Sequence, residues 1–183
     1  MTELELIEGC RREDNSSRRK LYEIYSRQMM GICYRYTGDK STSQDLLHDG
    51  FIKVFESVGF FRYQGEGSFR AWISRLFTNM TLDYLRKNNR WNEFIPLEEW
   101  HENNNTIIEE DHFEPVSNDV LIQFVSELPV GYRTVFNLYT FEEMSHKEIA
   151  RAMGINESSS RSQLSRAKAI LSEKIKKYAL DHG

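Results

Sequence analysis

The chain has 183 residues, enough for one ordinary domain or two small ones. Apolar residues make up 39% and charged residues 28%, which excludes a disordered chain, and no run approaches the ~18 apolar residues of a membrane-spanning helix. The formal net charge of −4 argues at face value against a nucleic-acid binder, but the charge is unevenly placed: residues 91–116 carry eight carboxylates and no lysine or arginine, and the flanks are mildly basic.

Only three prolines occur and glycine is sparse, a composition that favours long helices over strands with their frequent turns. The first half reads as three or four helices. From Leu21 to Tyr36 apolar residues recur at helical spacing (Leu21, Ile24, Tyr25, Met29, Ile32, Tyr36), and Gly38 lies where a left-handed cap belongs. Ser41 with Gln44 has the form of a capping box opening a second helix, whose stripe is Leu47, Phe51, Val54, Phe55 and Val58. Gly50 inside that helix costs roughly 1 kcal/mol relative to alanine. Residues 59–67 form a loop with three glycines and three aromatics, Phe60, Phe61 and Tyr63. A long helix follows from about Ser68 to Asn88, with Phe69, Ile73, Leu76, Phe77, Met80 and Tyr84 as its core stripe. At about 100° per residue, Arg75, Asn79, Leu82 and Arg86 share the opposite face.

Residues 91–116 show no sustained period and hold Pro96 and Pro115 among their carboxylates, so they read as a linker. Helical patterning then resumes. Leu121, Phe124, Val125 and Leu128 form one stripe; Pro129 stops it and starts the next, with Tyr132, Val135, Phe136 and Tyr139. Ser145 with Glu148 is a capping box for a short helix carrying Ile149, Ala150 and Met153. Gly154-Ile155-Asn156 is a tight turn, and a last helix from about Glu157 to Ala179 has core positions Leu164, Ala167, Leu171, Ile175 and Tyr178. The predicted fold is all-α, with two small helical domains at 1–92 and 117–183 joined by an acidic linker at 93–116.

Cys10 and Cys33 have no metal-ligand spacing and read as reduced cytosolic thiols. Histidines at 48, 101, 112, 146 and 182 show no ligand pattern, and no phosphate loop or nucleophile motif occurs, so neither an enzyme nor a cofactor is expected. The acidic N-terminus lacks a signal-peptide pattern, which places the chain in the cytoplasm with no direct membrane insertion.

Ser145 to Lys168 has the grammar of a helix-turn-helix. Ile149, Ile155 and Leu164 lock the two helices and Gly154 allows the steep crossing. On the second helix Ser158, Arg161, Ser162, Ser165 and Arg166 lie away from Leu164 and Leu171. The serines keep that face slim enough for a major groove, and the arginines reach base edges or phosphates. Spacing alone leaves an ordinary helical hairpin with a solvated basic face as the alternative.

Met144-Ser145-His146-Lys147-Glu148-Ile149-Ala150, followed by the Gly154-Ile155 turn and by Arg161-Ser162-Gln163-Leu164-Ser165-Arg166-Ala167-Lys168, resembles the C-terminal domain of extracytoplasmic-function (group IV) RNA polymerase sigma factors. The resemblance implies that Arg161, Ser162, Ser165 and Arg166 face the upstream promoter element, and that Ser159 touches a phosphate. Ser160 stands where the family has an apolar residue on the packed face, and Gln163 where a basic residue is common. In the first half, Gln44-Asp45-Leu46-Leu47-His48-Asp49-Gly50-Phe51-Ile52-Lys53-Val54-Phe55 is similar to the family's polymerase-binding helix. Asp45, Leu46, His48, Asp49 and Ile52 then form the exposed docking face. Ser68 through Lys87 resembles the helix serving the downstream element, in the family form Phe-x-x-Trp-Leu-x-x-Ile-x-x-Asn then Asp-x-x-Arg-Lys. By that likeness Phe61, Tyr63 and Asn79 trap a base flipped from the non-template strand, and Arg75, Arg86, Lys87 and Arg90 grip phosphates. The implied partners are core RNA polymerase, promoter DNA as duplex and as melted strand, and an anti-sigma factor; the acidic linker suits a basic polymerase channel. The N-terminal bundle would melt the promoter and the C-terminal helix-turn-helix would dock upstream. A rival, a conventional helix-turn-helix regulator with a sensing or dimerising N-terminal half, predicts two-fold symmetric sites on bare duplex.

Overall fold

A computed structural model describes residues 2–88 and 116–183, and all regular structure among them is helical. The chain divides into two compact units with the boundary after Tyr84.

The first unit opens with α1 (Glu3–Arg11), closed by a reciprocal box in which Thr2 Oγ1 accepts from the Glu5 amide (3.2 Å) and Glu5 Oε2 from the Thr2 amide (2.7 Å). This helix is the fourth of the first half. α2 (Asn15–Thr37) is capped by Asp14 and ends on Gly38 at φ 67°. The two helices meet so closely that a Cβ on Gly9 would stand 2.0 Å from Ser17 Oγ. α3 (Lys40–Ser57) starts at Asp39, whose carboxylate accepts from the Thr42 amide (2.7 Å). The predicted cap at Ser41 is therefore two residues late, because Asp39, next to the terminating Gly38, already serves the orphan amides. A 3-10 turn (Val58–Phe60), an irregular loop and α4 (Ser68–Lys87) complete the series.

Aromatic contacts tie these helices together. Tyr25 meets Phe69 (ring centroids 5.5 Å), Phe51 meets Phe77 (5.5 Å) and Phe61 meets Phe69 (5.3 Å). Gly50 has a packing reason: a Cβ there would lie 2.3 Å from Phe77 Cε1. Phe55, Leu76 and Tyr84, expected in the core, are half-buried. Leu82, expected outside, is buried, as are Thr78 and Thr81.

In the second unit α5 (Asn118–Ser126) is capped by Ser117, and α6 (Val130–Thr140) begins directly after Pro129. α7 (His146–Met153) and α8 (Glu157–His182) follow. Val125, Leu128, Tyr132, Ala167 and Leu171 form one cluster of the core, with Phe124, Phe136 and Ile170 packed against it, and Val135, Leu138, Ile149 and Leu164 are buried as well. The Arg133 guanidinium is buried and donates through Nη1 to the Ser126 (2.7 Å) and Leu128 (3.3 Å) carbonyls, where the negative end of α5 offsets its charge. Tyr139, predicted for the core stripe, is exposed. No described helix is long and apolar enough to cross a membrane.

Candidate nucleic-acid and docking surfaces

The helix-turn-helix is built from local chemistry. Ser145 Oγ accepts from the Glu148 amide (3.2 Å), and Glu148 Oε2 accepts from the Ser145 amide (2.7 Å). That backbone bond holds the Glu148 carboxyl below its ordinary pKa. Gly154 closes α7 at φ 68°, ψ 33°, a conformation that L side chains rarely adopt. Asn156 then caps α8, its Oδ1 accepting from the Ser159 amide (2.7 Å) and from Ser158 Oγ (2.8 Å).

α8 separates its faces cleanly. Ser160, Gln163, Leu164, Ala167 and Leu171 are buried, and at about 100° per residue they span one arc. Ser158, Arg161, Ser162 and Ser165 lie opposite and exposed, with Ser159 and Arg166 half-buried at the edges. Ser162 Oγ donates back to the Ser158 carbonyl (3.0 Å), which keeps the outer face slim. Arg161 pairs with Glu157 (3.1 Å), so a phosphate or base would compete with that carboxylate. Gln163 is turned inward, away from the groove-sized face. Ser160 is fully buried, its Oγ 2.8 Å from His146 Nδ1, and His146 stacks on Tyr139 (5.0 Å, 21° between planes). A polar link thus joins the starts of α7 and α8 where an apolar contact was expected. Histidine as its partner carries no short-range signal, since the two residues are 14 apart.

In the loop after α3 the aromatics exchange places. Phe61 is 7% exposed, packed against Phe69 and Trp72 (5.2 Å), so its ring has no open face for a base. Phe60, immediately before it, is 88% exposed, and Tyr63 is exposed as well. Consecutive side chains leave a turn in different directions, and the deep position went to Phe61 because Phe69 and Trp72 stand one helical turn apart beneath it. The loop turns on Gly65 (φ 112°) and Gly67 (φ 82°), and Ser68 Oγ donates to the Gly65 carbonyl (2.6 Å). Arg75, Asn79, Arg86 and Lys87 are exposed on α4; Arg90 lies outside the described residues, as does nearly all of the acidic linker.

On α3, Asp45, His48, Asp49 and Ile52 are exposed and fall within about 100° of one another around the helix. Leu46 does not join them: it is buried, at the edge of an apolar arc of about 140° that runs through Leu47, Gly50, Phe51 and Val54. Tyr22, exposed on α2, lies against Phe51 (4.6 Å) beside this face.

Comparison with known proteins adds family evidence. The model described as Sigma-70 region 2 matches residues 21–91, and that of Sigma-70, region 4 matches 118–171. The chain is 28% identical over 156 residues to the ECF RNA polymerase sigma factor BldN of Streptomyces coelicolor, covering 84% of this chain and 58% of that protein. It thus spans about three fifths of that relative's length. It is 26% identical over 176 residues to the RNA polymerase sigma-H factor of Pseudomonas aeruginosa, covering 91% of this chain and 90% of the other. Among solved structures, the sigma factor RpoE in complex with the anti-sigma factor NepR from Bartonella quintana aligns with 16% identity and a TM-score of 0.48, over 86% of this chain and 96% of that one.

Proposed function

From the premise that the chain belongs to the sigma-70 family, carrying its region 2 and region 4 in that order, we propose that it is an extracytoplasmic-function sigma factor of group IV. It binds core RNA polymerase, directs it to specific promoters and promotes melting of the DNA. The observation that carries this reading is the segregation on α8: exposed serines and Arg161 on one side with Arg166 at the edge, a buried arc on the other, shortly after a left-handed glycine turn.

In this reading Arg161, Ser162, Ser165 and Arg166 enter the major groove of the upstream element. Ser158 and Ser159, at the positive end of α8, meet phosphates. Phe60 and Tyr63 supply flat faces for bases of the opened non-template strand, with Phe60 taking the role first given to Phe61 and Asn79 reading a base edge. Arg75, Arg86, Lys87 and Arg90 add phosphate contacts that raise affinity and salt sensitivity with little sequence selectivity. Asp45, His48, Asp49 and Ile52 dock on polymerase, without Leu46. Residues 1–92 form the melting domain, 93–116 the linker and 117–183 the upstream-element domain. Bond formation belongs to the polymerase, so no side chain here is asked to do covalent chemistry. The protein acts in the cytoplasm, and an anti-sigma factor masks it until a signal arrives.

Run-off transcription of genomic fragments with purified core polymerase tests the proposal. Discrete promoter-specific transcripts that depend on this protein are expected. Their absence, with the same core active on a control sigma factor, would refute it.

A further inference from the structure

We infer that Arg11 is a positioning residue for the strand-capturing loop, an inference that rests on the sigma-factor reading above. Arg11 lies in α1, which precedes the span matched by the region 2 model, residues 21–91. Its guanidinium nonetheless reaches two carbonyls 47 and 50 positions further along the chain. Nε donates to the Val58 carbonyl (3.3 Å), Nη2 donates to the Phe61 carbonyl, and Nη1 pairs with Glu8 Oε1. The two carbonyls bracket Phe60, the exposed ring of the 3-10 turn.

That turn needs an external anchor. It is three residues long, and its exposed aromatic contributes nothing to holding it in place. The Phe61 carbonyl lies just past the turn, the Val58 carbonyl takes the Phe61 amide (3.3 Å) and has a second lone pair to offer, and the negative end of a helix favours a cation. A guanidinium answers both needs, because its rigid fork takes two acceptors at once. The Phe61 side chain pins the turn from within, against Phe69 and Trp72, while Arg11 fixes the backbone on either side of Phe60.

The anchor is itself held. Ile7 and Leu6 are buried, Gly9 lies against Ser17, and Tyr25 donates its hydroxyl proton to Glu3 (2.9 Å) at the opposite end of α1. Arg11 thus ties the loop to α1 and α2 and sets which way Phe60 points. Arg11 itself touches no DNA in this arrangement.

The test uses holoenzyme reconstituted with core polymerase on the strongest promoter recovered by run-off transcription, supplied as a linear duplex. Opening is read by permanganate reactivity of thymines in the melted strand, and core affinity is measured separately. Arg11→Ala and Phe60→Ala are each expected to lower opening about tenfold, the scale of one lost base stack, with core affinity unchanged. Arg11→Lys, which keeps the charge but loses the fork, is expected to fall between Arg11→Ala and wild type. The double variant Arg11→Ala, Phe60→Ala is expected to open no worse than Phe60→Ala within about twofold, because Arg11 acts through that ring. Additive losses in the double variant, wild-type opening by Arg11→Ala, or loss of core binding by both Arg11 variants would each overturn the assignment. Failure of the wild-type holoenzyme to open any genomic fragment would remove the sigma-factor reading, and this inference with it.

Discussion

Alanine at position 50 should destabilise the first unit, although helix propensity argues the opposite. In an exposed helix the change from glycine gains about 1 kcal/mol. Here the new methyl would stand 2.3 Å from Phe77 Cε1, 2.4 Å from Cζ and 3.0 Å from Met80 Cε. Ordinary carbon contacts lie near 3.5–4 Å, so the ring must retreat by about 1 Å. Phe77 is fully buried and already meets Phe51 edge-on at 5.5 Å, which leaves it little room. Overpacking of this kind costs about 1–3 kcal/mol, and a displacement this large falls near the top of the range. The net effect of Gly50→Ala is then a loss of about 2 kcal/mol. Gly31 is the matched control: it lies inside α2 with nothing within 4 Å of its missing Cβ, so Gly31→Ala should stabilise by up to about 1 kcal/mol. Urea unfolding read by pulsed hydrogen exchange over residues 40–57 isolates this unit. Phe77→Leu combined with Gly50→Ala should recover part of the loss, a coupling that a double-mutant cycle measures. If Gly50→Ala moved the midpoint in the same direction as Gly31→Ala, the packing argument would be wrong.

The Tyr25 hydroxyl, buried and bonded to Glu3, has its pKa pushed up to about 12. The folded state therefore holds this proton more tightly than the unfolded chain, and the contribution is complete below pH ~10 and lost as pH rises toward 12. Thermal melts of wild type and Tyr25→Phe should diverge at neutral pH and converge across that window; a constant gap would contradict the assignment. Burial pushes the Cys33 thiol up to about 11 and raises Cys10 as well, so iodoacetamide at pH 8 should label neither thiol until urea unfolds the chain, as read by mass spectrometry. Glu157→Gln should release Arg161 and raise holoenzyme affinity for the upstream element severalfold, on the scale of an exposed ion pair of about 0.2–1 kcal/mol, with duplex-binding titrations as the measure. Unchanged or weaker binding would mean that Arg161 does not need releasing.

What the sequence makes legible is whatever neighbouring residues decide among themselves. The Ser145–Glu148 box, the Gly154 turn and the start of α6 after Pro129 stand where short-range chemistry puts them. The outer face of α8 follows from its period alone. The rest depended on distant partners. Gly50 reads as a weak point in α3 until Phe77, 27 positions away, occupies the space of its missing Cβ. Leu46 reads as free to dock because the width of a buried arc depends on how many neighbours a helix has, and a linear stripe does not record that. Phe60 and Phe61 are chemically identical in a list of loop residues, and only the rings of Phe69 and Trp72 decide between them. Ser160, polar on the packed face, finds its partner in His146, 14 positions away.

The two surfaces proposed to meet DNA therefore rest on different physics. On α8 the arginines and serines are oriented by a regular helix with its own N-cap, so their directions survive as long as the helix does. The loop that presents Phe60 has three residues of 3-10 geometry, an irregular run and two glycines at positive φ. Its shape is imposed from outside, by the Phe61 ring below and by the Arg11 guanidinium at the carbonyls of Val58 and Phe61. Substitution of Arg11 should accordingly spare recognition of closed duplex and fall on melting, because the Phe60 loop takes its shape from that residue while α8 is held by its own N-cap and buried arc.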